Sequence, residues 1–124
     1  MNIRLITADT FGEVSAQLTG LLLDTVAHGA SVGFLASIDA DEADAYWRGV
    51  QAAVTDGTRL LLVAGTDADV QGTVQLDLCQ RKNGVNRAEV QKLIVHSAAR
   101  RQGVASALMK ALELEALARE RGVL

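Results

Sequence analysis

The segment Thr58-Arg59-Leu60-Leu61-Leu62-Val63-Ala64 constrains this chain most. It lies between Gly57 and Gly65, too short for a helix, and its apolar run does not alternate. Such a run is a strand buried on both faces, which needs a layer of cover on each side. Its partner is the strand from Val70 to about Gln80, with Val74, Leu76 and Leu78 on one face. The segment between them, 65–69, is a turn. A short alternating strand, Asn2 to Thr7, opens the chain, and Ala88 to Val95 forms a further strand. Three helices are expected. One starts at Asp9 or Thr10 and runs to about His28 with Phe11, Val14, Leu18, Leu22 and Val26 at helical spacing. One starts at Asp39 or Asp41 and stops at Gly57, with Ala43, Trp47, Val50 and Val54 on its apolar face. One runs from Gly103 to Arg121, with Ser106, Lys110, Glu113 and Glu120 toward solvent. The order is β-α-α-β-β-β-α in one α/β domain spanning residues 1–124. Val123-Leu124 reads as the opening of another strand. A crossover helix returning to a parallel strand would make the central sheet mixed, with helices on both faces.

Composition narrows the function. At 49% hydrophobic and 22% charged residues the chain is globular. A formal charge of -3 and only four aromatics, Phe11, Phe34, Tyr46 and Trp47, argue against nucleic acid as a partner. No apolar run approaches the roughly 18 residues of a membrane span, and MNIRLITADT lacks a signal-peptide pattern, so a cytoplasmic location is expected. A single cysteine, Cys79, and two distant histidines, His28 and His96, give no basis for a metal site.

The chemistry-bearing stretch runs from Glu89 to Met109. An apolar strand ends at Val95, a polar turn follows, and a helix opens near Gly103. A helix start presents unpaired N–H groups and the positive end of its dipole, which together hold phosphate. Gly103 admits an oxygen close to the backbone, Ala105 keeps the next position small, Ser106 adds a hydroxyl, and Arg100 and Arg101 add charge. The combination reads as a diphosphate cradle; in isolation the same residues would also suit an ordinary capped helix. Neither G-x-x-x-x-G-K-[ST] nor a G-x-G-x-x-G after the first strand is present, so the two best-known phosphate loops do not apply.

Arg100-Arg101-Gln102-Gly103-Val104-Ala105 resembles the Q/R-x-x-G-x-G/A signature of the GNAT family of N-acetyltransferases, and Val90-Gln91-Lys92-Leu93-Ile94-Val95-His96 resembles that family's fourth strand. The element order is similar throughout. Residues 29–36 (Gly-Ala-Ser-Val-Gly-Phe-Leu-Ala), Ala45-Tyr46-Trp47-Arg48-Gly49-Val50 and Gly72-Thr73-Val74-Gln75-Leu76 resemble the tabtoxin-resistance type within the family.

The resemblance implies transfer of an acetyl group from acetyl-CoA, as cosubstrate, to a small primary amine by direct attack. It implies that Arg100, Arg101, Gln102, Gly103, Val104, Ala105 and Ser106 bind the CoA pyrophosphate. Leu93, Ile94 and Val95 would pair with pantetheine, and an N–H at Ile94 or Val95 would polarise the thioester. Glu89 and His96 are the two base candidates, with a water chain as an alternative. The loop Gly29–Phe34, including Ser31 and Phe34, would form part of the acceptor wall with Tyr46 and Trp47, although core packing competes for the aromatics. Family members continue with a fifth strand, a helix that often supplies a tyrosine acid, and two more strands, and these residues contain no counterpart. The fold is therefore expected to be truncated after the helix that follows strand four. Three explanations stay open: a piece of an active enzyme, a short domain whose exposed fourth strand pairs with another copy, as a homodimer, or with another protein, or a non-catalytic interaction module that keeps the fold; the alternative function is a CoA-binding or dimerising remnant without catalysis.

Overall fold

The computed structural model describes residues 2–28, 38–66, 68–78 and 88–119, with residues 88 and 89 as backbone. The elements are β1 (Ile3–Ile6), α1 (Phe11–Ala27), α2 (Ala40–Asp56), β2 (Arg59–Thr66), β3 (Asp69–Leu78), β4 (Ala88–Val95), a short 3-10 turn (Ser97–Ala99) and α3 (Val104–Ala118). This is the expected order. The sheet runs β1-β2-β3-β4, and every pairing among the described residues is antiparallel. The expectation of a mixed sheet rested on a return strand after α3, and Val123-Leu124 lie outside the described residues. The segments 29–37 and 79–87, with Ser31, Phe34 and Cys79, also lie outside them.

β2 is two-faced, as its unbroken apolar run demands. Leu61 and Val63 face α1 and α2, in a core with Phe11, Leu18, Leu22, Trp47 and Ile94. Leu62 and Ala64 face α3, in a second core with Val74, Leu76, Leu108 and Leu112. The sheet is thus covered by helices on both faces. Leu62, Val74, Leu76, Leu108 and Leu112 are no more than 2% exposed, so each contributes on the order of 1.5–3 kcal/mol of burial.

Local chemistry sets the helix ends. Asp39 caps α2 through a reciprocal box: the Glu42 N–H donates to Asp39 Oδ1 (2.8 Å) and the Asp39 N–H donates to Glu42 Oε1 (3.4 Å). Gly57 closes α2 in the left-handed region at φ 79°. Thr10 precedes α1 but does not cap it with its side chain, because its Oγ1 accepts from the Thr7 N–H instead (2.9 Å). The hairpin between β2 and β3 is tighter than expected: Gly65 and Thr66 still pair, with Val70 and Asp69.

Two irregularities shape β3 and β4. Ala64 pairs with Gly72 while Gly65 pairs with Val70, so Gln71 is extra in β3. Thr73 pairs with Ile94 while Gln75 pairs with Gln91, so Lys92 and Leu93 together oppose Val74. Lys92 sits in the left-handed region at φ 51° within this bulge. The bulge reverses side-chain parity, which lets Gln91 and Ile94, three residues apart, both follow β3 residues of the α1/α2 face.

No helix among the described residues is long and apolar enough to cross a membrane.

Candidate acetyl-donor site

The connection from β4 to α3 begins at His96 and ends at Gly103. Arg100, Arg101, Gln102 and Gly103 are exposed. Arg101 (φ 66°) and Gly103 (φ 81°) both adopt left-handed backbone. An L-residue there costs roughly 1–2 kcal/mol, so Arg101 stores strain that Gly103 avoids. α3 starts at Val104 with no side-chain cap. The N–H groups of Val104, Ala105 and Ser106 therefore open outward without intrahelical acceptors. Space around Gly103 is open, with nothing within 4 Å of where a Cβ would stand, so its requirement is conformational. An uncapped helix start behind alternating left-handed residues makes an anion-binding concavity, and Arg100 and Arg101 lie on its approach.

The start of α3 is held to the sheet by an omission on β3. A Cβ on Gly72 would meet Val104 Cγ1 at 2.8 Å, the Ile94 carbonyl oxygen at 3.0 Å and Leu108 Cδ1 at 3.2 Å. Val104 is 2% exposed, so its side chain anchors the helix and only its N–H is available to a ligand. Gly72 was absent from the candidates drawn from sequence. An isolated glycine within a strand pattern is the signal that marks such a close approach.

β4 is the last strand of the sheet, and among the described residues no strand pairs with its outer edge. Ile94 is 1% exposed and belongs to the α1/α2 core, so it can offer a ligand only backbone. Leu93, within the bulge, is 39% exposed, and Val95 packs partly against the α3 core. The bulge, the open edge and the helix start therefore follow one another along a single stretch of chain.

Glu89 lies in register opposite Asp77 near the start of β4, well away from the helix start. Asp77 belongs to a polar chain crossing the sheet. Gln91 Nε2 donates to Asp77 Oδ2 (3.3 Å), Arg59 pairs with Asp77 (3.5 Å) and donates to Gln75 Oε1 (3.1 Å), and Gln75 Nε2 donates to the Tyr46 hydroxyl (2.9 Å). Gln75 is fully buried. Burial pushes the Tyr46 hydroxyl above its ordinary pKa, against the lowering effect of Gln75 and Arg59, so it stays protonated.

Two expectations change. Trp47 is 1% exposed and stacks edge-on to Tyr46 at 5.0 Å, so it packs the α1/α2 core and offers no acceptor wall. His96 is committed to the turn. Its Nδ1 accepts from the Ala98 N–H (3.0 Å) and its Nε2 stands 3.5 Å from Asp24 Oδ1. With Nδ1 occupied, the ring has no lone pair free to take a proton from an amine, which leaves Glu89 and a water chain as the alternatives.

The Acetyltransferase (GNAT) family matches residues 25–124. Solved structures carry the same fold at low identity. The chain is 20% identical to ribosomal-protein-alanine N-acetyltransferase from Brucella melitensis, at a TM-score of 0.73, covering 98% of this chain and 70% of that one. It is 20% identical to yncA, a putative acetyltransferase from Salmonella typhimurium solved with acetyl-CoA, at a TM-score of 0.67, covering 98% and 65%. It is 12% identical to a putative GNAT family acetyltransferase from Staphylococcus aureus, at a TM-score of 0.73, covering 100% and 98%. The family match spans the β4–α3 connection and most of the sheet, and the order of elements agrees with it: the chain belongs to the acetyltransferase (GNAT) family.

Proposed function

We propose that this chain binds acetyl-CoA along β4 and the start of α3 and transfers its acetyl group to a small-molecule primary amine. One observation carries the reading: an uncapped helix start, entered through left-handed Arg101 and Gly103, lies one short connection after a bulged strand whose outer edge no strand pairs among the described residues. The helix start holds the pyrophosphate through the N–H groups of Gly103 to Ser106, with Arg100 and Arg101 adding charge. The backbone of Leu93, Ile94 and Val95 pairs with pantetheine as an added strand would. A backbone N–H at Ile94 or Val95 supports the negative charge that develops on the thioester oxygen. The amine nitrogen attacks the carbonyl carbon, its bond to sulfur breaks, and CoA leaves as the thiolate. The proton lost by the amine goes to Glu89, directly or through water. The small-molecule acceptor is what the resemblance of residues 29–36, 45–50 and 72–76 to the tabtoxin-resistance type implies.

The test is release of free CoA thiol from acetyl-CoA across a panel of amino acids, polyamines and aminoglycosides. Turnover is expected with at least one of them. Glu89→Gln is expected to slow it most at low pH, where the amine must be deprotonated; an unchanged pH–rate profile removes Glu89 as the base.

The outer edge of β4, which no strand pairs among the described residues, favours a second reading as well, in which two copies pair through that edge as a homodimer. A dimer mass by light scattering, lost on Leu93→Lys, is its expected signature, and a monomer mass contradicts it.

A further inference from the structure

We propose that Asp24 is a positioning residue for the acetyl-CoA cradle: from the last turn of α1 it clamps Ser97, and so sets the course of the connection that delivers the start of α3. This rests on the function proposed above. Asp24 and Ser97 are 73 residues apart, yet the Ser97 N–H donates to Asp24 Oδ2 (2.8 Å) and the Ser97 hydroxyl donates to Asp24 Oδ1 (2.7 Å). One carboxylate thus grips one residue through both its backbone and its side chain. Hydrogen bonds of this kind, with an ionised acceptor, are about twice as strong as neutral ones.

Helix stability alone would not place a carboxylate here. The last turn of α1 is the negative end of its dipole and holds no basic residue of its own; His28 follows it as the C-cap. The Asp24 side chain is 14% exposed, so its charge is also partly desolvated. A choice that opposes its local element is explained by the partner it reaches. His28 Nδ1 from α1 and His96 Nε2 from the connection face the same Oδ1, at 3.4 Å and 3.5 Å. Burial raises the Asp24 carboxyl, but Ser97 and the two histidines outweigh it and hold the group below its ordinary pKa.

The clamp also determines which donors a ligand meets. The Ser97 N–H goes to Asp24, the Ala98 N–H to His96 Nδ1 and the Ala99 N–H to the His96 carbonyl (2.9 Å). All the N–H groups of the 3-10 turn are therefore used within the protein. The donors a ligand can meet therefore lie beyond Ala99, toward the start of α3 at Val104. Freeing Ser97 loosens the near end of that connection and misaligns them. Small misplacements of a binding group are costly even when no contact to the ligand is removed.

The experiment is calorimetric titration of acetyl-CoA into the full 124-residue chain and its variants, with hydrogen exchange of the peptide covering Ser97 to Gly103. Asp24→Asn is expected to weaken binding roughly tenfold to hundredfold, the equivalent of losing a hydrogen bond to a charged group. Ser97→Ala removes only the hydroxyl bond and should weaken it less, and adding it to Asp24→Asn should cost little more. Both variants should exchange faster across Ser97 to Gly103 without ligand. Gln75→Leu, on the same sheet face but outside the cradle, controls for general destabilisation: it should lower Tm and leave the Kd unchanged. If Asp24→Asn unfolds, Ser97→Ala carries the test, and wild-type affinity in that variant overturns the proposal. Wild-type affinity and exchange in folded Asp24→Asn also overturn it, while leaving the cradle intact. A folded wild-type chain that does not bind acetyl-CoA overturns both the cradle and the role given to Asp24.

Discussion

The two faces of the sheet are built differently. The face under α3 is sealed by apolar residues alone: Leu62, Ala64, Val74, Leu76 and Leu78 meet Val104, Leu108, Leu112 and Ala116. The face under α1 and α2 holds the buried polar residues Thr25, Thr73 and Gln75. It also carries the chain from Tyr46 through Gln75 and Arg59 to Asp77 and Gln91, and the Asp24–Ser97 clamp. Apolar packing is non-directional and tolerant, so it suits a platform that presses α3 against β3 at Gly72. Hydrogen-bonded side chains are directional, so they suit the face where groups must be aimed. In the reading proposed above, the cosubstrate cradle stands on the first face and is steered from the second.

Leu108→Ala should break the platform and give the largest effect. Leu108 is fully buried against β3, and the change should cost about 2–5 kcal/mol, seen as a lower midpoint in urea unfolding. Gln75→Leu tests whether the polar face is held by its hydrogen bonds or merely by its shape. It removes the acceptor for Arg59 and the donor to Tyr46, and should cost about 1–3 kcal/mol despite the similar volume. No loss of stability would mean that this face behaves like the other.

The smallest effect concerns pH. Because the Asp24 carboxyl is lowered in the folded chain, its contribution is fully present above its ordinary value of 3.8. It is lost as pH falls from there through the lowered value. Asp24→Asn should remove that part of the acid limb, so wild type and variant should converge in stability toward low pH. Parallel curves would mean that the clamp contributes nothing through its charge.

Much of this was legible in the sequence, for reasons particular residues show. The unbroken run from Leu60 to Ala64 announces a strand covered on both faces, and the two cores divide its residues alternately. Asp39 followed by Glu42 is a local capping signature, and it caps α2. Arg100 to Ser106 marks the helix start because the signal is contiguous. The bulge at Lys92 and Leu93 left no local mark, since it is defined only by its pairing with Val74. Trp47 was legible as an apolar-face residue, but its degree of burial depends on what α1 lays over it. Asp24 was hidden because its partner is 73 residues away. Its one visible sign is a negative charge at the wrong end of a helix.

The most direct test of the account is calorimetric titration of acetyl-CoA into the wild-type chain and into Gly103→Val. Gly103 touches no side chain that would be disturbed, and only its left-handed backbone excludes valine. The account predicts measurable binding by wild type and a loss of at least about tenfold in Gly103→Val, the equivalent of the left-handed penalty placed on the cradle. Equal affinities in the two folded proteins, or no binding by folded wild type, would contradict it.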